Sequence, residues 1–147
     1  MIYLQNILAL YGHRLSSTKK VIAAIIRKDN KYLLAQRAKK DIFYGKWEFP
    51  GGKLEDGETD EQCLRRELYE ELQITAEIGD YFCSSFFEYK GQSMEMRAYF
   101  VDSFSGEIIL HEHQQIHWVE MKDLASYDVP EPDRPIINKL LEFKTRN

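Results

Sequence analysis

The sequence has 147 residues, 44% of them hydrophobic and 30% charged, which suits one globular domain with a sizeable core. Its net charge of −4 argues against a nonspecific nucleic-acid-binding protein, because such proteins usually present a basic surface. No stretch approaches the roughly 20 apolar residues of a membrane span. Two cysteines are too few for a disulfide framework, so we expect a reduced, cytoplasmic protein.

The first half of the chain predicts an extension followed by a β-hairpin. Residues 1–17 form the predicted extension and lack the features of a secretory signal, and the predicted domain spans residues 18–147. The β-branched and apolar runs 20–28 and 32–37 flank a turn, which predicts the hairpin. A loop with two lysines at positions 39–40 then leads to the run 47–53, WEFPGGK.

Residues 51–74 combine a glycine turn with a predicted helix over residues 60–72, which contain no Gly or Pro. Thr59 or Asp60 can cap the start of this helix. At 3.6 residues per turn, three carboxylates share a sector roughly 100° wide, beside a stripe of leucines that can pack inward. The carboxylates are Glu67, Glu70 and Glu71, and the leucines are Leu64, Leu68 and Leu72. Because crowded carboxylates repel one another, the pattern indicates a hard divalent cation, with Mg²⁺ as the first choice.

The second half predicts strands at residues 76–88 and 94–102, joined by a turn at 90–93. Histidines at positions 111, 113 and 117 surround Glu112 and leave zinc as an alternative. Adjacent strand residues cannot share a face, however, so we expect polar loop histidines. Residues 116–119 predict a strand, residues 121–125 a helical turn, and residues 136–143 a last helix with Asp133 as its N-cap.

The motif residues resemble the Nudix box. Six residues stand at the spacing of that signature: Gly52, Glu58, Arg66, Glu67, Glu70 and Glu71. The run WEFPGGK also resembles the approach to the box in MutT-like members. The resemblance covers about residues 19–143. It implies the α/β class, as a Nudix α/β/α sandwich with a mixed sheet between helices. One position departs: Gln73 stands where the box usually has the Gly that ends the helix in a left-handed conformation.

The resemblance also implies the site residues. The metal ligands would be the Gly51 carbonyl, Glu67, Glu70, Glu71 and Glu112, holding Mg²⁺, with Mn²⁺ as a substitute. Either Glu67 or Glu70 would act as the base, while Arg66 would pair with Glu58 and hold the Gly52 loop against the helix. Substrate contacts would come from Arg37, Lys53, Phe49 and Asp133, although Arg37 could equally be a surface residue.

The implied function is hydrolysis of a nucleoside triphosphate to the monophosphate and pyrophosphate, of the 8-oxo-dGTP or CTP/dCTP type, as in nucleotide-pool sanitation. The alternatives are another nucleoside diphosphate derivative, such as ADP-ribose or an RNA 5′-triphosphate, or a noncatalytic nucleotide-binding module. The expected partner is a small-molecule nucleotide, with no nucleic acid and no membrane. We expect a monomer or homodimer.

Overall fold

The computed structural model describes residues 18–145, so the predicted extension 1–17 lies outside the described residues. Within residues 18–145 the chain forms nine strands, two α-helices and two 3-10 helices. The strands are β1 Lys19–Lys28, β2 Lys31–Arg37, β3 Trp47–Glu48, β4 Gly51–Lys53, β5 Thr75–Glu77, β6 Tyr81–Tyr89, β7 Gln92–Val101, β8 Ser103–Ser105 and β9 His113–Glu120. The α-helices are α1 Asp60–Leu72 and α2 Arg134–Thr145, and the 3-10 helices are Met121–Ser126 and Glu131–Asp133. No helix in this part of the chain is long and apolar enough to cross a membrane.

Strand β1 is the centre of a seven-stranded mixed sheet. It pairs in parallel with β7 and antiparallel with β2 and β4. The predicted hairpin of β1 and β2 is confirmed, but the two strands pair only beside their turn, with Arg27 opposite Tyr32 and Lys28 opposite Lys31. Beyond that point β1 continues along β4, while β2 pairs with β3 and β9. The strands therefore diverge, and the glycines of β4 lie beside the first half of β1.

The sheet separates two hydrophobic cores. Alternate residues of β1 point to opposite faces, as the period of two in a strand requires. One face packs against the leucine stripe of α1, and the other packs against the apolar residues of α2. The first core includes Ile22, Ile26, Leu64, Leu68 and Leu72, and the second includes Ala23, Ile25, Ile136, Ile137 and Leu140. The α/β/α sandwich with a mixed sheet is thus confirmed.

Helix α1 has the bounds that the sequence predicts. Thr59 is its N-cap: the Thr59 Oγ1 accepts from the Gln62 N–H at 3.1 Å, and the Gln62 Oε1 accepts from the Thr59 N–H at 3.0 Å. This reciprocal pair is a capping box. At the other end Gln73 adopts the left-handed conformation, with φ 59°, and its N–H donates to the Tyr69 carbonyl at 2.9 Å. Glutamine therefore takes the backbone role that glycine usually has at this point.

Three predicted boundaries are wrong. The predicted strand 76–88 is two strands, because the chain turns at residues 78–80, where the Gly79 N–H donates to the Phe100 carbonyl at 2.8 Å. The turn after β6 is shorter than predicted and contains only Lys90 and Gly91, both with positive φ. Asp133 is not the N-cap of α2. It ends a 3-10 helix that runs directly into α2, and its side chain bonds elsewhere.

Candidate active site

A cavity of about 380 Å³ opens beside the first half of β1 and the glycines of β4. One side is acidic, and we call it the acidic wall: Glu48, Glu67, Glu71 and Glu112. The other side, the apolar wall, consists mainly of Phe43, Phe49, Phe87, Tyr89, Met94 and Met96, with Asp133 among them. Three cations, Arg37, Lys39 and Lys53, also line the cavity. The cavity thus combines charged groups with aromatic rings, as a ligand with a polyanionic and an aromatic part requires.

The two glycines of β4 allow the backbone to approach the acidic helix. A Cβ atom on Gly51 would lie 1.9 Å from the carbonyl oxygen of Ile22, and one on Gly52 would lie 2.2 Å from the carboxyl carbon of Glu67. A side chain at either position would require these neighbouring atoms to move. The Gly51 N–H donates to Glu71 Oε2 at 3.1 Å. The glycine turn and α1 therefore meet at two carboxylates of the predicted site.

Burial affects the carboxyl groups of the acidic wall unequally, since Glu71 is buried and Glu112 is exposed. Glu71 is only 4% exposed, and burial raises its pKa well above the usual range, with further increases from the repulsion of Glu67, Glu48 and Glu112. Burial also raises the pKa of Glu67, against the opposing effect of Arg66. Carboxylate oxygens that are buried together are costly unless a cation compensates them. Their chemistry fits a hard divalent cation, which takes oxygen ligands.

The structure does not bring all the predicted metal ligands together. Glu67, Glu71, Glu112 and Gly51 line the cavity, whereas Glu70 does not. The Glu70 side chain is 50% exposed and lies 3.3 Å from Arg66. Within residues 18–145, no three His, Cys, Asp or Glu side chains are grouped as a ready metal-binding set.

Arg66 joins the loop before α1 to the helix itself. Its Nε and Nη2 donate to the two carboxylate oxygens of Glu58, each at 2.8 Å, so the predicted pair is present. The Nη2 also donates to the Lys53 carbonyl at 3.2 Å, and the Nη1 donates to Glu67 at 2.8 Å. The hydrogen bonds from Arg66 lower the pKa of Glu58 to about 2. One guanidinium thus positions both the glycine-turn segment and a carboxylate of the acidic wall.

Arg37 belongs to the cavity wall rather than to the open surface. Its guanidinium donates to Asp41 at 3.1 and 2.5 Å and to Glu48 at 3.1 Å. Glu48 in turn lies 3.0 Å from the Nε2 of His113. Lys53 is exposed and lines the cavity without this kind of network. No motif in the sequence points to Asp41, whereas Glu48 stands inside the WEFPGGK run and could have been found there.

The histidines do not support a zinc site. The His111 Nε2 lies 2.8 Å from the Gln73 Oε1, while His113 bonds to Glu48. The two side chains therefore bond to different partners and do not converge on a shared site. His113 is also not a loop residue: it begins β9, and its side chain is 3% exposed.

Asp133 is the buried acid of the apolar wall. It is 2% exposed, and its Oδ2 accepts from the Phe49 N–H at 3.0 Å. Burial raises its pKa well above the usual range, with a smaller increase from the repulsion of Glu48. The hydrogen bond anchors the strand before the glycine turn to the segment before α2. Two of the four predicted substrate contacts, Phe49 and Asp133, consequently lie in one wall.

Residues 17–140 match the model of the NUDIX domain. The chain is 38% identical to a CTP pyrophosphohydrolase from Escherichia coli strain K12 over 125 residues, covering 85% of this chain and 93% of the relative. It is 37% identical to an 8-oxo-dGTP diphosphatase from Haemophilus influenzae, covering 83% and 90%. The solution structure of the ORF135 protein of E. coli superposes with a TM-score of 0.82 at 37% identity, covering 89% and 94%. The chain therefore belongs to the Nudix domain family.

Proposed function

We propose that this Nudix protein hydrolyses a nucleoside triphosphate to the monophosphate and pyrophosphate, with Mg²⁺ as its ion. The observation that carries the proposal is the pairing of an acidic and an apolar wall in one cavity. The acidic wall suits a metal-bound triphosphate, and the aromatic side chains of the same cavity suit a base. The named activities of relatives with 37–38% identity over most of the chain support the same reaction.

In this reaction the oxygen of a water molecule attacks phosphorus at the linkage between the α- and β-phosphates. We assign Glu67 as the base that accepts the proton of that water. Glu67 lines the cavity, whereas Glu70 lies outside it, and the burial that raises the pKa of Glu67 makes its carboxylate a stronger base. The bridging P–O bond of the attacked phosphorus then breaks, and the phosphate group on the other side of that oxygen leaves with the electron pair, so that the products are the nucleoside monophosphate and pyrophosphate.

Other residues bind and orient the substrate. Glu71, Glu112 and the Gly51 carbonyl would hold the divalent ions, which would neutralise the charge that develops on the phosphates. Lys53 would contact a phosphate directly. Arg66 would position Glu67 through their 2.8 Å contact. Chemistry of this kind depends chiefly on positioning and electrostatic stabilisation, which matches this set of fixed contacts.

Asp133 and Phe49 would contact the base. We place cytosine nucleotides first, because the relative with 38% identity over 93% of its own length is a CTP pyrophosphohydrolase. The second candidate is 8-oxo-dGTP, the substrate named for the relative with 37% identity. A neutral carboxyl group of Asp133 can both donate and accept a hydrogen bond. It therefore matches an edge that carries both donors and acceptors, as cytosine and 8-oxoguanine have. The apolar surroundings strengthen that bond.

Pyrophosphate release tests the proposal. We would measure kcat/KM with Mg²⁺ for CTP, dCTP, dGTP and 8-oxo-dGTP, with and without a chelator. We expect the chelator to abolish release and Mn²⁺ to restore it. No release from any of the four nucleotides would refute the proposed reaction.

Two carboxylate variants test the assignment of the base. We expect Glu67→Gln to lower kcat by at least a hundredfold, and Glu70→Gln to lower it much less. Glu61→Gln is the matched control, since Glu61 lies on the same helix but pairs with Arg65 at the surface, at 2.9 Å. Unchanged kcat in Glu67→Gln would contradict the mechanism, and an equal loss in Glu61→Gln would show a general effect on the helix.

A further inference from the structure

One carboxylate outside the motif accepts hydrogen bonds from three residues of the cavity wall. Asp41 lies in the loop between β2 and β3, and its side chain is 6% exposed. Its Oδ1 accepts from the Arg37 Nε at 3.1 Å and from the Phe43 N–H at 2.9 Å. Its Oδ2 accepts from the Arg37 Nη2 at 2.5 Å and from the Tyr89 hydroxyl at 2.9 Å. Four donors thus converge on one carboxylate.

These donors belong to three residues that line the cavity themselves. Arg37 ends β2, Phe43 lies in the same loop as Asp41, and Tyr89 ends β6, far away in the sheet. The ring of Phe43 also stacks on that of Tyr89, with centroids 5.8 Å apart and planes 20° apart. The loop is therefore fastened across the cavity to β6, with Asp41 at the centre. We call this arrangement the Asp41 clasp.

The clasp fixes the orientation of Arg37. Asp41 and Glu48 accept three of the five N–H donors of the guanidinium. In residues 18–145 no other acceptor takes the remaining two, and Arg37 faces the cavity. A two-point contact from a carboxylate holds a guanidinium in one plane. Arg37 lowers the pKa of Asp41 below its usual range, so the contact persists throughout the neutral range.

We propose that Asp41 is a positioning residue for the nucleotide, holding the Arg37 guanidinium and the Phe43 and Tyr89 rings in place before the substrate arrives. This inference rests on the proposed function. Ordering these groups in the free protein means that binding need not order them, which improves affinity. Because the gain is the same in the ground state and the transition state, it changes KM rather than kcat.

The test separates KM from kcat. Asp41→Asn replaces one acceptor oxygen by an amide, and we expect KM for CTP to rise about tenfold while kcat changes less than threefold. Tyr89→Phe removes one hydrogen bond and should raise KM roughly threefold. Asp128→Asn is the control. Asp128 pairs with Lys46 at the far end of the same loop, at 3.0 Å, but its side chain is 77% exposed, so KM should stay unchanged.

Amide hydrogen exchange provides a second test of the proposal that does not depend on catalysis. The Phe43 N–H is held by Asp41, so its protection should fall in Asp41→Asn and persist in Asp128→Asn. Lost protection with a KM within twofold of wild type would overturn the proposal. So would a lower KM in Asp41→Asn, since Asp41 would then be restraining Arg37 instead of presenting it.

Two further outcomes remain decisive. If Asp41→Asn does not fold, Tyr89→Phe decides, and an unchanged KM in that variant overturns the proposal. If the wild-type protein releases no pyrophosphate, the proposed function fails by itself. Calorimetric binding of CTP then replaces KM: a weaker Kd in Asp41→Asn supports the clasp, and an equal Kd overturns it.

Discussion

Replacing Gly52 by alanine should separate activity from stability. The added Cβ would lie 2.2 Å from the carboxyl carbon of Glu67 and 2.4 and 2.5 Å from its two oxygens, whereas ordinary contacts are 3.4–4 Å. The carboxylate must therefore move by about 1 Å. Because this is the end of a flexible side chain, we expect the free energy of unfolding to change by less than about 1.5 kcal/mol. A misplacement of about 1 Å can lower a rate about a hundredfold, or raise the barrier by about 2.7 kcal/mol.

Pyrophosphate release and thermal unfolding measure the two quantities on the same preparations. Gly57→Ala is the matched control, because it also adds one methyl group ahead of α1, at a glycine with φ +83° and nothing within 4 Å. It should lose about 1 kcal/mol of stability from backbone strain and keep its activity. Activity of Gly52→Ala within threefold of wild type would refute the placement of Glu67 against Gly52. So would an equal loss in the control.

Three other predictions concern single side chains. Arg66 lowers the pKa of Glu58 to about 2. The stabilisation from this pair is therefore full above about pH 4.5 and is lost as the pH falls towards 2. The difference in Tm between wild type and Glu58→Gln should decrease to zero over that range. Burial raises the pKa of the Cys63 thiol to about 12, so iodoacetamide at pH 8 should modify it only after unfolding, as mass spectrometry would show. Gln73→Gly relieves a left-handed conformation that costs about 1–2 kcal/mol. Tm should therefore rise by about 2–8 °C with kcat unchanged, and a lower Tm would mean that the side chain of Gln73 matters more than its backbone.

The sequence predicted the features that depend on neighbouring residues. The bounds of α1 follow from helix propensity and from Thr59 as a cap, both of which act within a few positions. The pairing of Arg66 with Glu58 also lies within the motif. A helical wheel places Glu67, Glu70 and Glu71 on one side, but it cannot say which of them faces a cavity. That depends on how the helix sits on the sheet, which buries Glu71 and leaves Glu70 exposed.

Contacts between distant segments could not be predicted in this way. Asp133 was expected to cap a helix beside it, yet its carboxylate bonds to Phe49, 84 residues earlier. Asp41 carries no motif, and its importance arises only where β2 and β6 come within reach of one loop. No periodicity or motif spacing in a single sequence indicates which distant residues will be in contact. They follow from the sheet topology, which brings the ends of separate strands together.

The central position of β1 determines when the molecule can become active during synthesis. The chain leaves the ribosome from its N-terminus, and α1 has a capping box that acts locally. The parallel partner of β1, however, ends only at Val101, and the anchor of Phe49 arrives with Asp133. Non-local pairings of this kind form slowly. We therefore expect a nascent chain to form its acidic helix well before it has the sheet that supports the helix or the apolar wall of the cavity.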